Sequence, residues 1–239
     1  MIEVNRSLKG LKYTQKWFFN KVDFFDCMKI TVYKQIHIDL ITSPFFIKKY
    51  SYTLHSDLSL NEDEILKRFS SNVRNEIRRA EREGSIFNRV ESKENFMNFY
   101  NEFASQRGIS GISIEKLNSY GNNLKLTSTT KDGVITSAHS YLVDLDNKKV
   151  RFLHGGTSRF SESIDRNMIA RSNKFLHFKN FMSFKELGFI IYDWGGIAYE
   201  TKDKGLMGIN KFKKSFGGEL IKEKDLYSIL YYIYLKTFK

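Results

Sequence analysis

The sequence predicts an α/β fold built on a mixed sheet, and three observations carry that prediction. Residues 124–130, 134–144 and 150–154 form a meander pattern, with Lys131-Asp132-Gly133 as a hairpin turn between the first two. Helical patterns precede and follow this meander. Consecutive βαβ units are missing, as is a Gly-rich turn after an early strand, which excludes a doubly wound parallel sheet.

Each element has a local reason. Residues 28–41 partly alternate and are β-branched, so they read as strand, and Ser43-Pro44 breaks the run. Residues 52–58 are a second extended piece. Asn61-Glu62-Asp63-Glu64 then opens a helix, because carboxylates in a first turn meet the positive end of the helix dipole. Ser70-Ser71-Asn72 recaps the chain, and a second helix runs to Gly84, a fitting residue just past a helix end. A third helix over 92–106 spaces Phe96, Phe99, Tyr100 and Phe103 helically, and Arg107-Gly108 ends it. After the meander, Gly155-Gly156 and a Ser/Arg-rich loop lead into a helix over 165–187, stopped by Gly188. Residues 189–193 read as an apolar strand ended by Trp194-Gly195-Gly196. A short basic helix over 207–216 closes at Gly217-Gly218, and 219–222 is a further strand. Residues 226–238 fit either strand or helix.

Composition narrows the function classes. The 239 residues carry 39 Lys and Arg against 27 Asp and Glu, a net charge of +12. That balance suits an anionic partner such as a nucleic acid, a phosphorylated cofactor or an acidic membrane surface, or else an unspecific basic surface. The single cysteine, Cys27, excludes an internal disulfide and any cysteine-built metal site, and is compatible with a cytoplasmic location. Five scattered histidines lack local ligand spacing, so no metal is expected. The polar start has no secretory leader pattern, and no stretch approaches the ~18 apolar residues of a membrane span.

Several residue groups could carry chemistry. Strand 150–154, its loop and the helix from Asp165 make a strand–loop–helix unit whose first-turn N–H groups could hold a phosphate, with Arg159, Arg166 and Arg171 nearby. The alternative is an ordinary loop with Ser163 or Asp165 as N-cap. His139 shares a strand face with Ile135, Tyr141 and Val143, and His154 one with Val150 and Phe152. Each is either a hydrogen-bonded core residue or a general base near neutral pKa. Asp193, at the end of its apolar strand, would orient an acceptor, assist proton removal or pin the following turn. Arg74, Arg78 and Arg82 stack at helical spacing, as a solvated face or as a dock for phosphate. Lys211, Lys213 and Lys214 form a second basic cluster.

Three runs together resemble a known family. SLNEDEILKRFSSNVRNEIRRAEREGS (59–85), FIIYDWGGIA (189–198) and GINKFKKSFGGEL (208–220) are similar to motifs of the Fem-type branch of the GNAT acyltransferase superfamily. The resemblance covers about residues 52–224. It implies a GNAT-like mixed, largely antiparallel sheet flanked by helices, in one domain over 1–239. Residues 1–51 would be an N-terminal extension or partial first lobe, 52–224 the core and 225–239 a C-terminal element. It implies an N-acyltransferase that moves an acyl group from acyl-CoA to an amine of a cell-envelope precursor, such as an amino sugar or nucleotide sugar. The bridge-forming members imply instead an aminoacyl-tRNA-dependent transferase acting on a peptidoglycan precursor, and a non-catalytic binding protein is a third reading. The acceptor would be a small or lipid-linked anion, with peripheral membrane contact at the inner face an option. In that frame Asp193, His139 and His154 are the catalytic candidates. Gly155, Gly156, Ser158, Arg159, Arg166 and Asn167 would hold the cofactor, and Arg74, Arg78, Trp194 and Lys213 the substrate.

Overall fold

The computed structural model describes residues 1–8, 10–37, 39–40, 44–159 and 165–238. Ten strands form one sheet in the order β1-β2-β3-β10-β4-β9-β8-β7-β6-β5. They are β1 (Ile2–Leu8), β2 (Leu11–Trp17), β3 (Thr31–His37), β4 (Phe46–Asp57), β5 (Ile86–Arg89), β6 (Leu124–Lys131), β7 (Val134–Asp144), β8 (Lys149–Thr157), β9 (Ile191–Ile197) and β10 (Glu219–Ser228). Neighbours are antiparallel except at β2–β3 and β8–β9. The sheet is therefore mixed and largely antiparallel, with helices on both faces.

The helices begin where their caps dictate. In α1 (Glu62–Arg68), Asn61 accepts from the Glu64 N–H while the Glu64 carboxylate accepts from the Asn61 N–H, so two otherwise orphaned donors are satisfied. Ser70 caps α2 (Ser71–Arg82) and Ser92 caps α3 (Lys93–Arg107), which ends at Gly108 in the left-handed conformation. A short α4 (Ile114–Asn118) follows, then α5 (Arg166–Glu186), α6 (Lys204–Lys214) and α7 (Ile229–Phe238). Val73, Ile77 and Ala80 of α2 pack against Phe175, Phe178 and Phe181 of α5 over one face of the sheet. Phe96, Tyr100 and Ala104 of α3 cover the other face, against Leu126, Ala138 and Leu142.

The first strands complete that second core. Ile2, Val4 and Trp17 pack with the α3 residues, so the sheet curls until its β1–β2 edge lies over its own far half. The Met1 amino group pairs with Asp144 and, at 2.8 Å, with Asp146, and Asn147 Nδ2 donates to the Phe18 carbonyl at 3.1 Å. The sequence reading assigned no strands to this region, because β1 sets only Ile2, Val4 and Leu8 among polar residues. Two further corrections concern strand ends. Trp194-Gly195-Gly196 lies inside β9, where Gly195 adopts φ +72 and the register against β4 shifts between Thr53 and His55. In the tail, β10 continues to Ser228, whose hydroxyl accepts from the Tyr231 N–H at 3.1 Å and starts α7. Ser43 of the expected strand break lies outside the described residues.

Gly155 and Gly156 also sit within β8 rather than in a loop. A Cβ on Gly155 would lie 2.6 Å from Phe152 Cζ and 3.1 Å from His139 Cδ2, inside the packed aromatic core. Gly155→Ala should cost about 1–3 kcal/mol through overpacking. Thermal denaturation should show Tm falling by roughly 2–4 °C per kcal/mol. Gly196→Ala, with open space at its Cβ, should leave Tm nearly unchanged; equal values for the two would show that the aromatic cluster yields freely.

Candidate functional site

The parallel pair β8–β9 matches Lys149 with Ile191, Val150 with Tyr192 and Arg151 with Asp193, and pairing stops there. Both strands run on, β8 to Thr157 and β9 to Ile197. A cavity of about 560 Å³ lies against the diverging ends. Phe152, Leu153 and His154 line it from β8, and Trp194, Gly195 and Gly196 from β9. Arg6, Tyr13, Gln15 and Trp17 of the curled β1–β2 hairpin roof it, and Lys116, Tyr120 and Lys213 close the sides. Arg6, Lys116, Arg151 and Lys213 give this lining its charge, and among the described residues it contains no carboxylate.

Behind the cavity floor lies a buried charge network. Asp193 has no solvent exposure. Its Oδ1 accepts from Thr53 Oγ1 at 2.5 Å and from the Gly195 N–H at 2.9 Å, which pins the β9 kink. Its Oδ2 lies 2.9 Å from Arg151 Nη1, 3.1 Å from Lys149 Nζ and 3.7 Å from His55 Nε2. Glu223 of β10 meets Lys149 at 3.0 Å and His55 at 3.5 Å. Burial pushes the Asp193 carboxyl upward, but Arg151, Lys149 and His55 outweigh it and hold the group well below the ordinary range. Such a carboxylate takes up no proton near neutral pH. His55, Asp193 and Glu223 bring their ligand atoms within 4.8 Å of one another. The Lys149 ammonium, bonded to both carboxylates, holds the place a metal cation would take.

The two histidines differ. His139 is buried between Asn173 Oδ1 at 2.9 Å and the Tyr141 hydroxyl at 3.1 Å, and burial pushes it down to about 3. It packs in the core below the cavity, against Phe152 and His177. His154 borders the cavity, with Nδ1 2.9 Å from Ser140 Oγ and Nε2 3.3 Å from Lys116 Nζ. Burial, then the Lys116 and Arg6 charges, push it down to about 3 as well. The sequence placed His154 on one face with Val150 and Phe152. A bulge between Phe152 and His154, opposite Ser140 and Tyr141, reverses this and turns His154 toward Tyr100 of α3.

Lys213 donates to the Gly196 carbonyl at 2.9 Å, and burial followed by the Arg151 charge lowers its ammonium to about 8. Trp194 is fully buried, donating from Nε1 to Ser56 Oγ at 3.0 Å. Arg74 turns inward and donates to the Leu66 and Phe69 carbonyls that end α1, so it closes a turn away from the cavity. Arg78 is exposed on α2.

The strand–loop–helix unit is also distinct from the cavity. Asp165 caps α5, accepting from the N–H groups of Asn167 at 3.0 Å and Met168 at 3.2 Å, so its carboxylate stands where a phosphate would bind. Ser158 donates through its N–H to the Thr136 carbonyl at 3.1 Å, while Arg159, Arg166 and Asn167 are exposed. Ser163 lies outside the described residues. Arg171 is committed to Glu83 through two bonds of 2.9 and 3.0 Å. A groove of about 1000 Å³ runs past Arg79, Lys131, Ser158, Asp165 and Arg171.

No family model and no curated protein sequence matches the chain. Solved structures do. FemX superposes with a TM-score of 0.71 over 99% of this chain and 86% of its own, at 14% identity. The chain has a Fem-type GNAT-like fold. The C-terminal domain of a putative lysylphosphatidylglycerol synthetase from Agrobacterium fabrum gives 0.64, over 98% of this chain and 82% of its own, at 14% identity. L-PGS from Bacillus licheniformis gives 0.55, over 88% and 73%, at 11% identity. Within this GNAT-like frame the sequence reading missed Arg6, His55, Lys116, Lys149, Arg151 and Glu223. The signal available was Lys149 and Arg151 alternating with Val150 and Phe152, which gives one charged face to a strand that is otherwise apolar.

Two predictions follow from the charge network. Asp193→Asn strands Lys149 and Arg151 with reduced compensation, and should lower unfolding free energy by about 3–5 kcal/mol. The Asp193 contribution is full above the unfolded carboxyl value, about 3.9, and is lost as pH falls through the depressed folded value. Denaturant titrations should therefore show a shallower acid limb in the variant, and unchanged stability at neutral pH would overturn this account. His55 is shifted the other way: despite the burial that lowers it, Asp193 and Glu223 raise its pKa. Its contribution is full below about 6.5 and lost as pH rises through the raised folded value. The stability difference between wild type and His55→Gln should shrink as pH rises above about 6.5 and through the raised folded value.

Proposed function

We propose that the chain is a transferase that moves an aminoacyl group from an activated ester onto an anionic acceptor held at the β8–β9 splay. The observation that carries this reading is the cavity wall: among the described residues, Arg6, Lys116, Arg151 and Lys213 line it without a carboxylate. A phosphate or carboxylate of the acceptor meets these cations in a partly desolvated space, where such contacts are stronger than in water. The nucleophile then attacks the ester carbonyl and negative charge develops on its oxygen. The Lys213 ammonium, fixed against Gly196, stabilises that oxyanion. The proton lost by the nucleophile balances the one gained by the leaving oxygen, so no net proton remains. His154 is too weakly basic to collect it and instead orients Lys116 as a neutral acceptor.

For the donor, Asp165 already satisfies the α5 N–H groups on which a CoA pyrophosphate would rest. The net charge of +12 suits a polyanion such as tRNA. Likeness to FemX and to lysylphosphatidylglycerol synthetase domains supports the aminoacyl reading. The second reading, acyl-CoA with an amino-sugar or nucleotide-sugar acceptor, draws on the groove beside Arg79, Lys131 and Arg171. Both readings place the acceptor, small or lipid-linked, in the same cavity and the reaction in the cytoplasm.

Thermal shift with uncharged tRNA and with CoA separates the donors, since a ligand of the native state raises Tm. A shift with CoA and none with tRNA selects the second reading; silence with both leaves a binding protein. For catalysis, Lys213→Met should reduce transfer about 10²–10³-fold. If the charged form works, the wild-type rate should fall as pH rises through about 8, and Lys213→Arg should remove that limb. Full activity in Lys213→Met would place the reaction elsewhere.

A further inference from the structure

Outside the cavity, α7 carries an unusual face. Its Tyr231 and Tyr234 turn inward against Tyr13, Val32 and Tyr227. A surface helix ordinarily presents polar residues on its outer side. Here that side shows Leu230, Tyr232 and Ile233, the last 54% exposed. The helix packs against a 3-10 turn over Phe24–Met28, where Phe25 is 66% and Met28 70% exposed. Phe45 extends the surface by its edge contact with Phe24 at 5.8 Å. Such an apolar surface on a chain of this size marks an interaction site.

Charge selects the occupant. Exposed Lys48, Lys49 and Lys236 flank these elements, and Lys236 lies 5.5 Å over the Tyr232 ring. The carboxylates of the 3-10 turn are already engaged: Asp23 caps it, and Asp26 binds Lys16, Lys29 and the Tyr33 hydroxyl. Aliphatic and aromatic side chains rimmed by lysines match the boundary of an anionic bilayer, with rings at headgroup level and ammonium groups among the phosphates. No helix among the described residues is long and apolar enough to cross a membrane, and ten-residue α7 can only lie along one.

We propose that α7 and the Phe24–Met28 turn dock this protein onto an anionic lipid surface. This stands apart from the transfer reading, because none of the docking residues lines the splay cavity. The two surfaces are nonetheless neighbours: Tyr13 lines the cavity and packs on Tyr231 and Tyr234 of α7. Docking would present the cavity close to the headgroup layer.

The test is co-sedimentation with vesicles of phosphatidylglycerol and phosphatidylcholine, against phosphatidylcholine alone, at about 100 mM salt. Wild type should partition onto the anionic vesicles at least about tenfold more strongly. Leu230→Glu/Ile233→Glu and, separately, Phe25→Ser/Met28→Ser should each lose about tenfold while circular dichroism stays native. If one variant fails to fold, the other decides. The proposal fails if wild type ignores anionic vesicles, or if folded variants bind as well as wild type. It also fails if sedimentation shows a wild-type dimer that the variants dissolve, which would make the face a contact between copies.

Discussion

Asp193 sits where four strands must agree. Its carboxylate binds Arg151 and Lys149 of β8, faces His55 of β4, and shares Lys149 with Glu223 of β10. A buried carboxylate without those partners is prohibitive, and so are the cations without the carboxylates. The register of β10-β4-β9-β8 is therefore tied to one set of contacts, since a slip of one residue would turn every member to the opposite face. The Gly195 N–H bond converts the same carboxylate into the hinge that bends β9 away from β8. The cavity at the splay depends on that bend.

The network also orders the chemistry. Cations lie on two levels, with Lys149 sealed between carboxylates and Arg151 bridging from Asp193 to the cavity wall. Lys149 stacks over Phe18 at 4.8 Å and Arg151 over Trp17 at 5.8 Å, so the aromatic residues of the hairpin cover the charges from above. Lys213, on α6, is easier to deprotonate because burial and then the neighbouring Arg151 charge disfavour its ammonium more than Asp193 favours it. The cavity thus holds one cation poised near neutral pH beside another that is permanently charged.

Much of the fold was legible because helix ends are written locally. Asn61 with Glu64, Ser70, Ser92 and Gly108 each marks its boundary through a bond spanning a few residues. The meander was legible from its turns. The site was less so, because its members come from residues 6, 55, 116, 149, 151, 193, 213 and 223, and only sheet order unites them. Asp193 was legible from its place at the end of an apolar strand and Lys213 from a basic helical cluster, and the motif resemblance then gave both a role. His154 was misplaced because a bulge shifts parity without leaving a mark in the sequence. Gly155-Gly156 looked like loop punctuation, yet Gly155 is there because aromatic rings fill the space a methyl group would need. The first strands escaped notice because their apolar faces are satisfied by α3, far along the chain.

The curled sheet has a mechanical corollary. Roof and floor of the cavity belong to one continuous sheet, yet Arg6 and Lys213 come from opposite ends of the sequence. An anion gripped by both acts as a reversible cross-link between those ends. It closes a loop that spans most of the chain and removes the corresponding freedom from any partly opened state. Occupancy would then hold the β1–β2 edge against the far half of the sheet, and its peeling would become rarer as the ligand concentration rises above Kd.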